Sequence, residues 1–203
     1  MRLYRLRFST NVERVALALA HKGFEVESVW IEHDDRSLVE RLSGQPLVPV
    51  LEDGEQVVAD STAILEYLEE RYPNPLLYPR AEARRAEIDL YIDWFNRVVK
   101  RPPNEIEAAL VNGPSDGVRL DALAAAMRGN LDRHEALLAG RDYLFGESFS
   151  AADCAAFPFL KYALGRDADD DELFHRILAD YQSVKGRPRL EAWIRRVDAR
   201  PRA

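Results

Sequence analysis

Residues 43–68 read SGQPLVPVLEDGEQVVADSTAILEYL, and this stretch decides the fold. Val50-Leu51 and Val57-Val58 are short apolar runs separated by the acidic turn Glu52-Asp53-Gly54-Glu55. Two β-prone runs around a glycine-containing turn predict a β-hairpin. Asp60-Ser61 follows at once, and Ile64, Leu65 and Leu68 then keep helical spacing. An Asp or Ser before such a run predicts a helix N-cap. Pro49 stands at the head of the first strand, where it removes a ladder donor. Cis peptides are nearly confined to X-Pro steps in tight turns, so Val48-Pro49 is expected to be cis.

Upstream, residues 2–7 alternate as a strand, and Ser9-Thr10-Asn11 is a capping cluster. Val12, Val15, Leu17 and Ala18 predict a helix to about His21, ended by Gly23. Phe24 to Ile31 reads as a second strand and Asp34 to Leu42 as a short helix. With the hairpin and the helix of about 61–72, the order is β-α-β-α-β-β-α, that of an α/β thioredoxin-like domain. Residues 1–78 carry 8 Lys/Arg against 14 Asp/Glu, a net −6. Residues 79–203 carry 20 against 21, a net −1. That shift and Pro73-Asn74-Pro75 divide the chain into domains 1–78 and 79–203.

The second part reads as all-helical. Ile88, Tyr91, Ile92, Phe95 and Val98-Val99 predict a helix from Ala81 to Lys100, stopped by Pro102-Pro103. A loop from Asn112 to Gly117 precedes a helix of about Leu120 to Leu138. Ser150 and Asp153 have capping-box spacing, Phe149 can staple the start, and Pro158 should bend the buried helix that follows. Cys154 reads as a small core residue. The acidic run Asp167 to Glu172 reads as a solvated helix start, and Arg189 to Val197 as the last helix.

Composition excludes several classes of function. The net charge of −7 argues against nucleic acid as a partner. No apolar run approaches the roughly 18 residues that span a bilayer, so no membrane association is expected. The opening MRLYRLRFST lacks a signal-peptide core and reads as a strand, so a cytoplasmic location is expected. One cysteine excludes a Cys-x-x-Cys redox centre. Four scattered histidines lack metal-ligand spacing, so no metal is expected.

Ser9-Thr10-Asn11-Val12-Glu13-Arg14-Val15 places a hydroxyl between strand one and helix one, where it serves equally as a plain cap or as a catalytic group. The stretch resembles the Ser-x-x-x-x-Arg-Val motif of serine-type, bacterial-like cytosolic glutathione transferases. Val48-Pro49, Asp60-Ser61 and the Gly146 to Asp153 segment resemble further motifs of that family. The resemblance covers nearly the whole chain. It implies a thioredoxin-like N-terminal domain with an all-α C-terminal domain, and a homodimer.

The resemblance also implies site roles. Ser9 would stabilise the thiolate of glutathione, the cosubstrate, with Asn11 sharing or taking over the role. A hydroxyl at a helix N-terminus lowers a thiol's pKa, and thiolate is the nucleophile. Val48 and Pro49 would pair with the cysteinyl part as an added strand. Asp60 would meet the ammonium and Ser61 the γ-glutamyl carboxylate. At the glycyl end, residues 43–47 depart from the family pattern; Gln45 is the candidate, with His33 and Arg36 nearby in sequence. Tyr4, the candidate of a tyrosine-type enzyme, lies inside a strand and reads as packing. Thr10, Tyr91, Trp94 and Phe95 are the candidates to line a pocket for a small hydrophobic electrophile between the helix-one start and the first long helix of the second part. An aromatic stripe at helical spacing is more often core than pocket. The implied reaction is conjugation or detoxification of that electrophile; a peroxidase, isomerase or lyase, or a transferase-like protein that has lost catalysis, are the alternatives.

Overall fold

The computed structural model describes residues 1–113 and 117–203, and the chain divides into two compact units. The first comprises Met1–Arg85 with Arg200–Ala203, the second Ala86–Ala199. The first unit therefore runs past the seam read at residue 78 and takes in residues from the far end of the sequence.

In the first unit β1 (Arg2–Arg5), α1 (Thr10–His21), β2 (Glu27–Trp30), α2 (Ser37–Ser43), β3 (Val50–Asp53), β4 (Gln56–Ala59) and α3 (Ser61–Arg71) follow the expected order. The sheet order is β2-β1-β3-β4, with β1 parallel to β2 and antiparallel to β3, and β3 antiparallel to β4. Successive strand residues face opposite sides. Tyr4 and Val50 therefore share one face, where they cluster with Ile31 and Val39, and Leu3 and Leu51 point to the other. The hairpin is tied to α3 by the Tyr67 and Tyr72 hydroxyls, which donate to Asp53 Oδ2 at 2.8 and 2.6 Å.

A buried ion pair organises the stretch after α3. Lys22 Nζ lies 2.8 Å from Glu69 Oε2 and also donates to the carbonyls of Tyr72 and Pro75. Glu69 in turn accepts from the backbone N–H groups of Leu77 and Tyr78. Residues 200–203 dock on the same unit. Arg202 pairs with Glu13, Ala203 N–H donates to the Ala16 carbonyl, and Arg5 donates to the Ala203 carbonyl.

The second unit contains α4 (Glu82–Trp94, whose first turns precede the boundary), α5 (Arg101–Asn112), α6 (Gly117–Leu137), α7 (Ala151–Leu160), α8 (Leu173–Tyr181) and α9 (Pro188–Asp198). The centre of the loop expected at 112–117 lies outside the described residues. Every residue of α7 is buried. Its start is held by Asp153, which accepts from the Ser150 N–H and hydroxyl, the Leu144 N–H and Trp193 Nε1. Burial pushes the Asp153 carboxyl up against the pull of those four donors.

Three features differ from the sequence reading. The helix from 82 does not stay α to its end: Phe95–Val99 is a π segment. Pro102-Pro103 begins α5 rather than merely ending its predecessor, because the first helical positions need no intrahelical N–H bond. Within the acidic run, Asp170 is buried rather than solvated, since it accepts from the Tyr162 hydroxyl and faces His175 Nδ1 at 2.9 Å. Among the described residues no helix is long and apolar enough to cross a membrane.

Candidate active site

Strand register gathers the motifs of the first unit at one end of its sheet. Tyr4, near the end of β1, pairs with Val50, the first residue of β3, and Val50 pairs with Ala59, the last of β4. The segments Phe8-Ser9, Val48-Pro49 and Asp60-Ser61 therefore all leave the sheet at that end. α1 and α3 both begin there, so two helix N-termini bring partial positive charge to the same place.

Ser9 is the N-cap of α1, and Phe8 before it takes a positive φ of 61° that sets the sharp change of direction. Ser9 Oγ accepts the Val12 N–H at 3.4 Å. A hydroxyl has one proton and two lone pairs. Among the described residues no acceptor engages the Ser9 O–H, so cap and donor roles coexist. Thr10 is buried at the next position and Asn11 is half-buried beyond it.

The Val48-Pro49 peptide is cis. Pro49 is buried, and Val48 packs against the Tyr4, Ile31, Val39 and Val50 cluster. The loop before it is braced by Gln45: its Nε2 donates to Ser43 Oγ and the Leu47 carbonyl, and its Oε1 accepts the Leu47 N–H at 2.6 Å. Gln45, the candidate for a glycyl carboxylate, thus has its amide engaged in shaping the approach to Val48. Arg36 donates to the His33 carbonyl at 2.9 Å in the loop before α2.

Asp60 caps α3 through Oδ1, which accepts the Thr62 and Ala63 N–H groups at 2.8 and 3.1 Å. Its φ of 75° and ψ of 130° lie where a non-glycine residue carries strain, a sign of function when the surroundings enforce it. Ser61, buried as the first residue of α3, accepts from Arg14 Nη1 at 3.5 Å. Arg14 is itself only 1% exposed, a cation among Val12, Val15 and Ala18 on α1. Sequence reading singled out Arg14 only as part of a motif; the signal missed was a charge on an otherwise apolar helix face. Tyr4 donates to Glu52 Oε2 at 2.6 Å, and burial raises its pKa first, with Glu52 adding to the effect.

The aromatic candidates belong to the second unit. Tyr91 and Phe95, expected at a pocket, sit in its core around the buried His134, while Trp94 is partly exposed. His134 Nδ1 faces the Asn130 carbonyl at 2.7 Å, which can only accept. Nδ1 is therefore the protonated nitrogen, and Nε2 accepts the Tyr91 hydroxyl at 2.7 Å. Burial drives the His134 pKa down to about 4.

Residues 3–76 match the glutathione S-transferase N-terminal domain, and residues 117–196 match the glutathione S-transferase C-terminal domain. The chain belongs to the glutathione S-transferase family. Glutathione S-transferase GstB of Escherichia coli is 29% identical, over 95% of this chain and 90% of that protein. Maleylpyruvate isomerase of a Ralstonia species is 31% identical, over 80% and 82% respectively. A glutathione S-transferase from Rhodospirillum rubrum superposes with a TM-score of 0.74 at 28% identity, covering 98% of this chain and 88% of that one. The glutathione S-transferase fold thus accounts for both units, and glutathione is the family's cosubstrate.

Proposed function

We propose that the chain binds glutathione at the motif-bearing end of the sheet and activates its thiolate for attack on a small hydrophobic electrophile. Ser9 supplies the hydrogen bond to sulfur, with Asn11 beside it. The cysteinyl backbone pairs with Val48 before Pro49, Asp60 meets the ammonium through the oxygen not engaged in capping, and Ser61 meets the γ-glutamyl carboxylate. Gln45 holds the loop that presents Val48. In the second unit the candidate to meet the electrophile is the partly exposed Trp94, which packs on Tyr91, itself beside Phe95 in that unit's core. A homodimer in a reducing cytoplasm completes the reading. The exposed apolar side chains Leu47, Val57 and Leu90 support the first part and the lone buried Cys154 the second, both testable by light scattering and cell fractionation.

The carrying observation is the Ser9 hydroxyl, anchored as an acceptor at the start of α1 with its proton left to donate. Ultraviolet titration of bound glutathione tests it. A hydrogen bond to a charged group contributes about 1.5–3 kcal/mol, so Ser9→Ala should raise the bound thiol pKa by about one to two units. Affinity should change little. A variant that keeps the thiolate at neutral pH removes Ser9 from the role. A glutathione-dependent isomerase is the second reading, favoured by the maleylpyruvate isomerase relative, and a cis–trans isomerisation assay separates it from conjugation.

A further inference from the structure

We infer that Arg14 is the residue that turns Ser61 into a carboxylate receptor, by fixing which way its hydroxyl donates. The inference rests on the reading of the glutathione site given above and adds a positioning residue behind it. A guanidinium carries five N–H donors, has no acceptor and does not lose its charge in proteins. Arg14 Nη1 at 3.5 Å from Ser61 Oγ can only donate, so Ser61 Oγ must accept. The single proton of that hydroxyl is then directed away from Arg14, and among the described residues no acceptor takes it.

The backbone completes the receptor. The first N–H groups of a helix have no intrahelical partner. Asp60 satisfies those of Thr62 and Ala63, which leaves the Ser61 N–H beside the Ser61 O–H. Two adjacent donors on one residue, at a helix N-terminus and backed by a buried cation, fit a planar anion. Burying a charge is unfavourable unless it is paired and hydrogen-bonded, and Ser61 is one of the partners of Arg14. At 3.5 Å the bond is long, as catalytic and binding contacts are before the ligand arrives.

Calorimetric titration with two ligands reads this device separately from the rest of the site. One ligand is glutathione; the other is 4-aminobutyryl-cysteinyl-glycine, which lacks only the γ-glutamyl α-carboxylate. Hydrogen bonds to a charged group are the strong class, so wild type should prefer glutathione by about 30-fold or more. Arg14→Met and Ser61→Ala should each cut that preference about tenfold, leave affinity for the decarboxylated ligand unchanged, and show no further loss when combined. Equal weakening toward both ligands, or an intact preference in Arg14→Met, overturns the role of Arg14 while leaving the glutathione site standing. If wild type binds neither ligand, the site reading fails and takes the inference with it.

If circular dichroism shows Arg14→Met unfolded, Arg14→Gln decides the matter. Its amide is neutral and its oxygen can take the Ser61 proton, so a threefold or greater drop in preference is expected. An unchanged preference in Arg14→Gln overturns the inference.

Discussion

His134→Gln should flatten the acid side of the protein's stability curve. In the folded chain the His134 imidazole is enclosed, its Nδ1–H held by the Asn130 carbonyl and its Nε2 occupied by the Tyr91 hydroxyl. Its pKa is depressed from 6.5 to about 4, first by burial and then by Arg133 against the pull of the carbonyl. The unfolded chain therefore binds a proton at this residue below pH 6.5, and the folded chain does not until about pH 4. Stability from His134 is fully present above 6.5 and is lost as pH falls toward 4. At 1.36 kcal/mol per unit, the loss between pH 7.5 and 5 comes to about 2 kcal/mol. Glutamine can still accept the Tyr91 hydroxyl but takes up no proton. Other titrating groups, including His21, whose pKa burial also lowers, are common to both chains and cancel in the difference. Urea unfolding from pH 7.5 to 5 should show wild type losing about 2 kcal/mol more than His134→Gln. Coincident slopes would mean that the folded imidazole titrates at its ordinary value, and the linkage argument would fall.

Two further outcomes rest on geometry alone. Lys22→Met leaves Glu69 as a buried carboxylate without its ammonium and strips a donor from the Tyr72 and Pro75 carbonyls, so it should cost about 3–5 kcal/mol. In a thermal melt that is a fall of about 10 °C, and a loss under about 1 kcal/mol would show the pair to be replaceable. Asp60→Gly removes a cap at a cost of a few tenths of a kcal/mol and relieves about 1–3 kcal/mol of backbone strain. It should raise the unfolding midpoint while weakening glutathione at least tenfold; a destabilised variant with normal affinity would show that Asp60 only caps.

What the sequence disclosed was local. Val50-Leu51, Gly54 and Val57-Val58 announce the hairpin because strand period and turn chemistry act within a few residues. Ser9 and Asp60 announce their helices because caps bond two or three residues ahead. Contacts at long separation were illegible. Arg14 and Ser61 lie 47 positions apart, and neither residue's neighbours imply the other. Asp170 looked like one more solvated acid because Tyr162 and His175 are brought to it by packing, not by pattern. The α-to-π change at Phe95 leaves the apolar spacing nearly intact, so periodicity passes straight over it. Pro102-Pro103 was ambiguous in kind, since a proline pair ends one helix and opens the next with the same chemistry.

The docking of residues 200–203 on the first unit has a consequence for biosynthesis. Arg202 and Ala203 supply partners to Glu13, Ala16 and Arg5, contacts that the first 85 residues alone do not make. During translation those 85 residues emerge long before their last partners. At about 5–20 residues per second, the intervening 114 residues take on the order of 6–23 s. For that interval the nascent sheet lacks its contacts along α1, made only when residues 200–203 arrive. A stop codon just after Ala199 would release a chain in which those contacts never form.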